Sequence, residues 1–211
     1  MKICFVTLFI IVGLIQAQTP SEKEVVNIKD LMPEVVIDIR YSTTNNFTGQ
    51  KLYSTDECFA SRAMIKDLKL IQDSLHNIRH FDGRNFPDGL GMKVFDAYRP
   101  HTVQYLMFEI VGSPWVADPS GGSNHNRAAA IDITIIDRAT GEELDMGTDF
   151  DYFGEPAWHG YDGHSAEVKA NRSLLLGMMT DFSNFSYYSK EWWHYTHIPS
   201  KDFPLFDFQM K

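Results

Sequence analysis

Between Ser61 and His80, apolar residues recur at three- and four-residue intervals: Met64, Ile65, Leu68, Ile71, Leu75 and Ile78, with charges between them. That spacing predicts an amphipathic helix over 61–80, with the Ser61 hydroxyl placed to cap its first free amides. A second helix is predicted over TVQYLMFEIVG (102–112), closed by Gly112, and a third from about Ser165 to Phe182, carrying Val168, Leu174, Leu175, Met178 and Met179. Strand patterns fall between the helices. Gly89 and Gly91 precede MKVFDAY (92–98), which Pro100 ends, and AAAIDITIID (128–137) is β-branched through its centre. WWHYTHI (192–198) reads as the final strand, with Trp192 and Trp193 on opposite sides of it. VVIDIRY (35–41) is a short segment, STTNNFTGQ (42–50) a polar surface loop and ATGEELDMG (139–147) a turn. Helices interleaved with a few strands outside a regular βαβ series predict an α+β fold. It is a single domain with a small, mainly antiparallel sheet packed against helices.

The first 17 residues, MKICFVTLFIIVGLIQA, have a lysine, an apolar run from Ile3 to Ile15 and a small residue at Ala17. This is the plan of a secretory signal peptide cleaved before Gln18, leaving 18–211 as the mature domain; an uncleaved anchor is the alternative. Cleavage removes Cys4 and leaves Cys58 as the one cysteine, so an intramolecular disulfide is impossible. The formal net charge of −9 becomes −9 − 1 = −10 on loss of Lys2, and no lysine or arginine run exists, which argues against nucleic acid as a partner. A periplasmic or secreted protein without a stable membrane anchor is expected.

Asp132 falls inside IDITII (131–136), where an uncompensated carboxylate is costly. His125 stands seven positions earlier in SNHNRAAAID (123–132), and His194 ends EWWH (191–194). A catalytic zinc takes three such ligands and keeps its fourth position for water. Glu191 can serve as the base beside that water if it sits at a loop end and swings toward His194. In VFDAYRP (94–100), Arg99 follows a predicted strand and can stabilise an oxyanion, or form a structural ion pair with Asp96. Spacing alone leaves the zinc reading open beside a plainer one, in which Asp132 caps a turn and the histidines pack. His76 and His80 read as a solvated helix end and His101 as a helix start. His159 and His164, in WHGYDGH (158–164), read as capping or surface residues, with a cleft-edge or second-metal role as the alternative.

SNHNRAAAID, EWWH and FDAYRP together resemble the D-alanyl-D-alanine dipeptidase family of zinc peptidases. YSTTNNFTG (41–49), DMGTDFDYF (145–153) and EWWHYT (191–196) fit the same family in order, so the resemblance spans about Tyr41 to Thr196. It implies one Zn²⁺ per chain, held in a cleft by His125, Asp132 and His194, with Glu191 as base and Arg99 on the oxyanion. It also implies that Tyr41, Ser123 and Asp151 line the amino end of a D-Ala-D-Ala dipeptide, which is hydrolysed to two D-alanines. One departure stands out: the family usually has glycine at the third position after the motif histidine, and here it is Ala128. If that position needs positive φ, alanine strains the turn by about 1 kcal/mol. Two rivals remain: a zinc D,D-carboxypeptidase or endopeptidase cutting longer peptidoglycan stems, and a non-catalytic zinc-containing binding module. An exported dipeptidase would not meet a cytoplasmic pool of D-Ala-D-Ala, so wall turnover or scavenging is expected rather than antibiotic resistance.

Overall fold

The computed structural model describes residues 21–113 and 115–210; the proposed signal peptide, 1–17, lies outside the described residues. Along the chain run β1 (Val25–Asn27), α1 (Ile28–Leu31), β2 (Val36–Ile37), β3 (Phe59–Ser61), α2 (Arg62–His76), β4 (His80–Phe81), β5 (Arg84–Asn85) and β6 (Leu90–Asp96). Then follow α3 (His101–Ile110), β7 (Ala130–Asp137), α4 (Ala166–Thr180), β8 (Phe185–Tyr187) and β9 (His194–His197). The main sheet has the order β2-β6-β7-β9-β8; β2 runs parallel to β6 and the other neighbours are antiparallel. This is the α+β domain with a mainly antiparallel sheet that the pattern predicts.

β7 is the centre of the sheet, and its residues from Ala130 to Ile136 are buried, which accounts for its unbroken β-branched character. α2 packs on β6 through Met64, Ile65, Leu68, Ile71 and Leu75, the predicted apolar face, and Ser61 Oγ accepts the Met64 amide as its N-cap. The buried side chains form one core, with Trp192, Trp193, Tyr41 and Tyr98 among its largest members. No helix among the described residues is long and apolar enough to cross a membrane.

Several boundaries differ from the pattern. α2 stops at His76, where the Asn77 amide turns back to the Leu75 and Ser74 carbonyls, so His80 leaves the helix and pairs in the β4–β5 hairpin. His76 remains at the helix end, within 2.6 Å of the Gln72 side chain. The strand read as 92–98 begins and ends two residues earlier. The last strand is shorter than 192–198: Trp192 and Trp193 lie in a turn before β9, both buried, with their rings crossed at 89° rather than set on opposite faces of a strand. Within 35–41 the paired strand is Val36–Ile37 alone, and Arg40–Ser42 forms a 3₁₀ turn. His101 is the first residue of α3, as read.

Candidate active site

Sheet register builds one wall of the site. Asp132 on β7 stands directly opposite His194 on β9 and, across the other edge, opposite Asp96 on β6, so the three share one row of the sheet. A shift of register between Val94 and Asp96 re-aims Asp96 at the end of its strand. His125 comes from outside the sheet, on a 3₁₀ turn (His125–Arg127) that Ala128 closes at φ 51° and ψ 35°. Ala128 therefore occupies the left-handed region, where a Cβ costs roughly 1–2 kcal/mol. The turn holds because it is tied down: the His125 amide donates to Ser123 Oγ at 3.1 Å, the Arg99 amide to the His125 carbonyl at 3.2 Å, and Asn126 Nδ2 to the Arg99 carbonyl at 2.9 Å.

The three candidate ligands converge. His194 Nδ1 lies 2.9 Å from Asp132 Oδ1, His125 Nε2 lies 3.5 Å from the same oxygen, and the two ring nitrogens are 3.2 Å apart. On a tetrahedron with metal–ligand bonds of about 2.0–2.1 Å, ligand atoms stand roughly 3.3 Å apart. The observed spacings bracket that value, and His125, Asp132 and His194 form the group among the described residues that could hold a metal ion. His125 Nδ1 lies 2.6 Å from the Ala97 carbonyl, which fixes the proton on Nδ1 and leaves the Nε2 lone pair facing the cluster. Burial alone would push the Asp132 carboxyl up, but His125 and His194 more than reverse this and hold it well below the usual carboxylate range. The cluster fits a divalent ion such as zinc in donor type, number and spacing.

Glu191 is not on β9. It opens a turn in which its carbonyl accepts the His194 amide at 3.4 Å, while its own amide donates to the Tyr188 carbonyl at 3.2 Å. The turn cancels strand alternation and brings Glu191 to the same cavity as His194. Burial raises its carboxyl to about 7, against the opposing pull of His194. Arg99, buried, sends Nε and Nη2 to Asp96 Oδ2 at 3.1 and 2.7 Å and Nη1 to Gln104 Oε1 at 2.9 Å. Three of a guanidinium's five N–H groups are thus engaged, and the others remain for a ligand. Arg99 thus makes the ion pair with Asp96 and also lines the cleft.

Tyr41, Phe47, Asp151 and Phe153 enclose the other end. The Tyr41 hydroxyl reaches both Asp151 oxygens, at 2.9 and 3.2 Å. Burial, and then the nearby Asp132 charge, push the Asp151 carboxyl well above its ordinary range. A carboxylate held that way gains most from an incoming cation. All eight residues singled out from the sequence (Tyr41, Arg99, Ser123, His125, Asp132, Asp151, Glu191, His194) line one cavity of about 340 Å³. Sequence reasoning missed Tyr53, whose hydroxyl donates to Asp96 Oδ1 at 2.8 Å, and Gln104, the third support of Arg99. It also missed the ring cluster of Phe47, Phe153 and Trp115 at the rim. Tyr53 and Phe47 lie in irregular chain with no periodic signal, whereas Gln104 was legible as a polar residue on the buried side of α3. His159 and His164 lie outside this cavity; His164 Nε2 is 2.7 Å from the Pro156 carbonyl, a loop-capping contact.

The family model described as D-ala-D-ala dipeptidase matches residues 21–209. A D-alanyl-D-alanine dipeptidase of Escherichia coli (strain K12) is 31% identical over 187 residues, covering 86% of this chain and 89% of that protein. One from Enterococcus faecium is 28% identical over 208 residues, covering 82% of this chain and 92% of that protein. One from Enterococcus faecalis (strain ATCC 700802 / V583) is 27% identical over 187 residues, covering 76% and 85%. The model match takes in nearly all the described chain, including every cavity residue named above, and the chain belongs to the D-ala-D-ala dipeptidase family of M15 metallopeptidases.

Proposed function

We propose that the protein hydrolyses free D-Ala-D-Ala to two D-alanines in a zinc-dependent reaction. The observation that carries this reading is the shared cavity: a zinc-spaced His125–Asp132–His194 cluster and a buried Glu191 with a carboxyl near 7 line it together with Asp151, which makes no salt bridge among the described residues. Zinc held by the three ligands would supply Lewis acidity and lower the pKa of water to about 7.

The chain's own residues supply the rest. Glu191 takes a proton from the attacking water and returns it to the departing amine, a double duty suited to a pKa near neutrality. Arg99, held rigid by Asp96 and Gln104, offers its remaining N–H groups to the developing oxyanion. Asp151, steadied by Tyr41, pairs with the substrate ammonium, and this restricts the site to short peptides with a free amino terminus. Ser123 has its oxygen engaged by the His125 amide, so its hydroxyl hydrogen is the part available to substrate.

Export through the signal peptide, to the periplasm or outside the cell, makes wall-peptide turnover or scavenging the role; mature protein in the cytoplasm would contradict this. The test is release of D-alanine from free D-Ala-D-Ala, N-acetylated D-Ala-D-Ala and L-Ala-L-Ala, with and without zinc. Zinc-dependent cleavage of the free D,D-dipeptide alone is expected. Preference for the blocked substrate would establish the carboxypeptidase reading, and zinc binding without cleavage of any of them the binding module.

A further inference from the structure

Arg172 on α4 lies outside the cavity, yet it is a buried cation with no salt bridge to a carboxylate among the described residues. Burial lowers its pKa to about 10, so it stays charged at neutral pH. A buried charge of this kind is costly unless its hydrogen bonds do structural work. Nε donates to the Met146 carbonyl at 2.7 Å, Nη2 to the Pro156 carbonyl at 2.9 Å and Nη1 to the Trp158 carbonyl at 3.2 Å. The guanidinium also lies over the Trp192 ring, 5.9 Å from its centroid.

The segment that Arg172 pins is the one that grips the Glu191 turn. The Trp192 amide donates to the Ala157 carbonyl at 3.1 Å, and the His159 amide donates to the Ser189 carbonyl at 3.0 Å, one bond on each side of Glu191. Trp192 Nε1 is further tied to Thr148 Oγ1 at 2.8 Å. None of these carbonyl and hydroxyl acceptors belongs to His125, Asp132 or His194, which sheet register and the His125 turn position; the Glu191 turn meets them only where its carbonyl accepts the His194 amide.

We propose that Arg172 is a positioning residue for Glu191: it locks residues 156–158, and through them the 189–192 turn, so that the carboxylate is held over the cleft. The idea rests on the reading of Glu191 as base, but the grip itself can be measured apart from activity. In the zinc-loaded mature chain, Arg172→Lys keeps the charge and loses the fork that spans three carbonyls. Backbone amide exchange at Trp192 should then rise at least about tenfold while the His197 amide of β9, bonded to the Ala129 carbonyl, keeps its protection. kcat should fall about 10- to 100-fold with zinc content intact and KM moving less than about threefold, because Tyr41 still holds Asp151.

Trp192→Phe keeps a six-membered aromatic ring, loses the Nε1 bond to Thr148 together with part of the buried indole, and should show the same changes on a smaller scale; it carries the test if Arg172→Lys does not fold. Unchanged exchange at Trp192 would overturn the proposal whatever the activity. So would faster exchange with unchanged kcat, or loss of zinc together with turnover. If the wild type does not cleave the dipeptide, the reading of the site fails while the exchange result still decides whether Arg172 holds the turn.

Discussion

The two walls of the cavity are made by different means. On the metal-facing wall, Asp132 and His194 are paired residues of adjacent strands, and their separation is a consequence of sheet register. In the rest of the lining, Asp151 and the Glu191 turn stand on irregular chain and Tyr41 on the 3₁₀ turn Arg40–Ser42, each held by a few bonds: Tyr41 to Asp151, Trp192 to Ala157, His159 to Ser189. Register is cooperative, since moving one residue moves a whole strand. Loop positions are adjustable one at a time. The contrast implies that metal affinity and substrate choice are separable in this fold.

Breaking the ligand wall should have the largest effect. Asp132→Ala removes the shared carboxylate from between two histidines, and should abolish stoichiometric zinc binding and lower turnover at least about 10³-fold, read by metal analysis and D-alanine release. Breaking the loop wall should leave zinc in place. Asp151 sits at φ 62°, a backbone that asparagine tolerates, so Asp151→Asn tests charge without strain. It should lower kcat/KM for the free dipeptide about 10- to 100-fold, with a smaller loss for an N-acetylated one.

The pH profile sharpens the same contrast. Glu191 must be ionised to accept a proton, so the burial that raises its pKa to about 7 moves the acid limb of kcat/KM above the ordinary carboxylate position. A nearby zinc cation favours the ionised form and moves the limb down toward, but not to, the ordinary 4.5. Cadmium and zinc enzymes should therefore share a limb above that value, and a limb at the ordinary carboxylate position would contradict the burial of Glu191. The smallest effect is expected at Ala128. Ala128→Gly removes left-handed strain of roughly 1–2 kcal/mol but adds about 0.5–1 kcal/mol of unfolded-state entropy, so Tm should rise by only one or two degrees, about 0.5 kcal/mol net.

Regular periodicity was the legible part of the chain. The apolar spacing of α2 and the β-branched run of β7 are strong enough to read directly, and both carry the core. The β1–β3 pair, the β4–β5 hairpin and β8 contain two or three residues per strand, too few for any period to show. Asp132 stood out because a carboxylate conflicts with its apolar neighbours, and such conflicts mark function, but spacing alone left the zinc reading open and the set of three ligands came from the resemblance. The turn at Trp192 and Trp193 was not legible, because its aromatic residues carry the composition of a strand while tertiary contacts decide otherwise. Asp96 was visible only as a partner for Arg99. Its place in the same row as Asp132 depends on register, which no single segment contains.

The most direct test of the account is Glu191→Gln in the mature chain, with zinc content and D-Ala-D-Ala turnover measured on the same sample. The variant should hold one zinc per chain, as the wild type should, with turnover lowered by about 10³-fold or more, since the ligands are untouched and the proton carrier is gone. Wild-type turnover in that variant, with zinc bound, would contradict it.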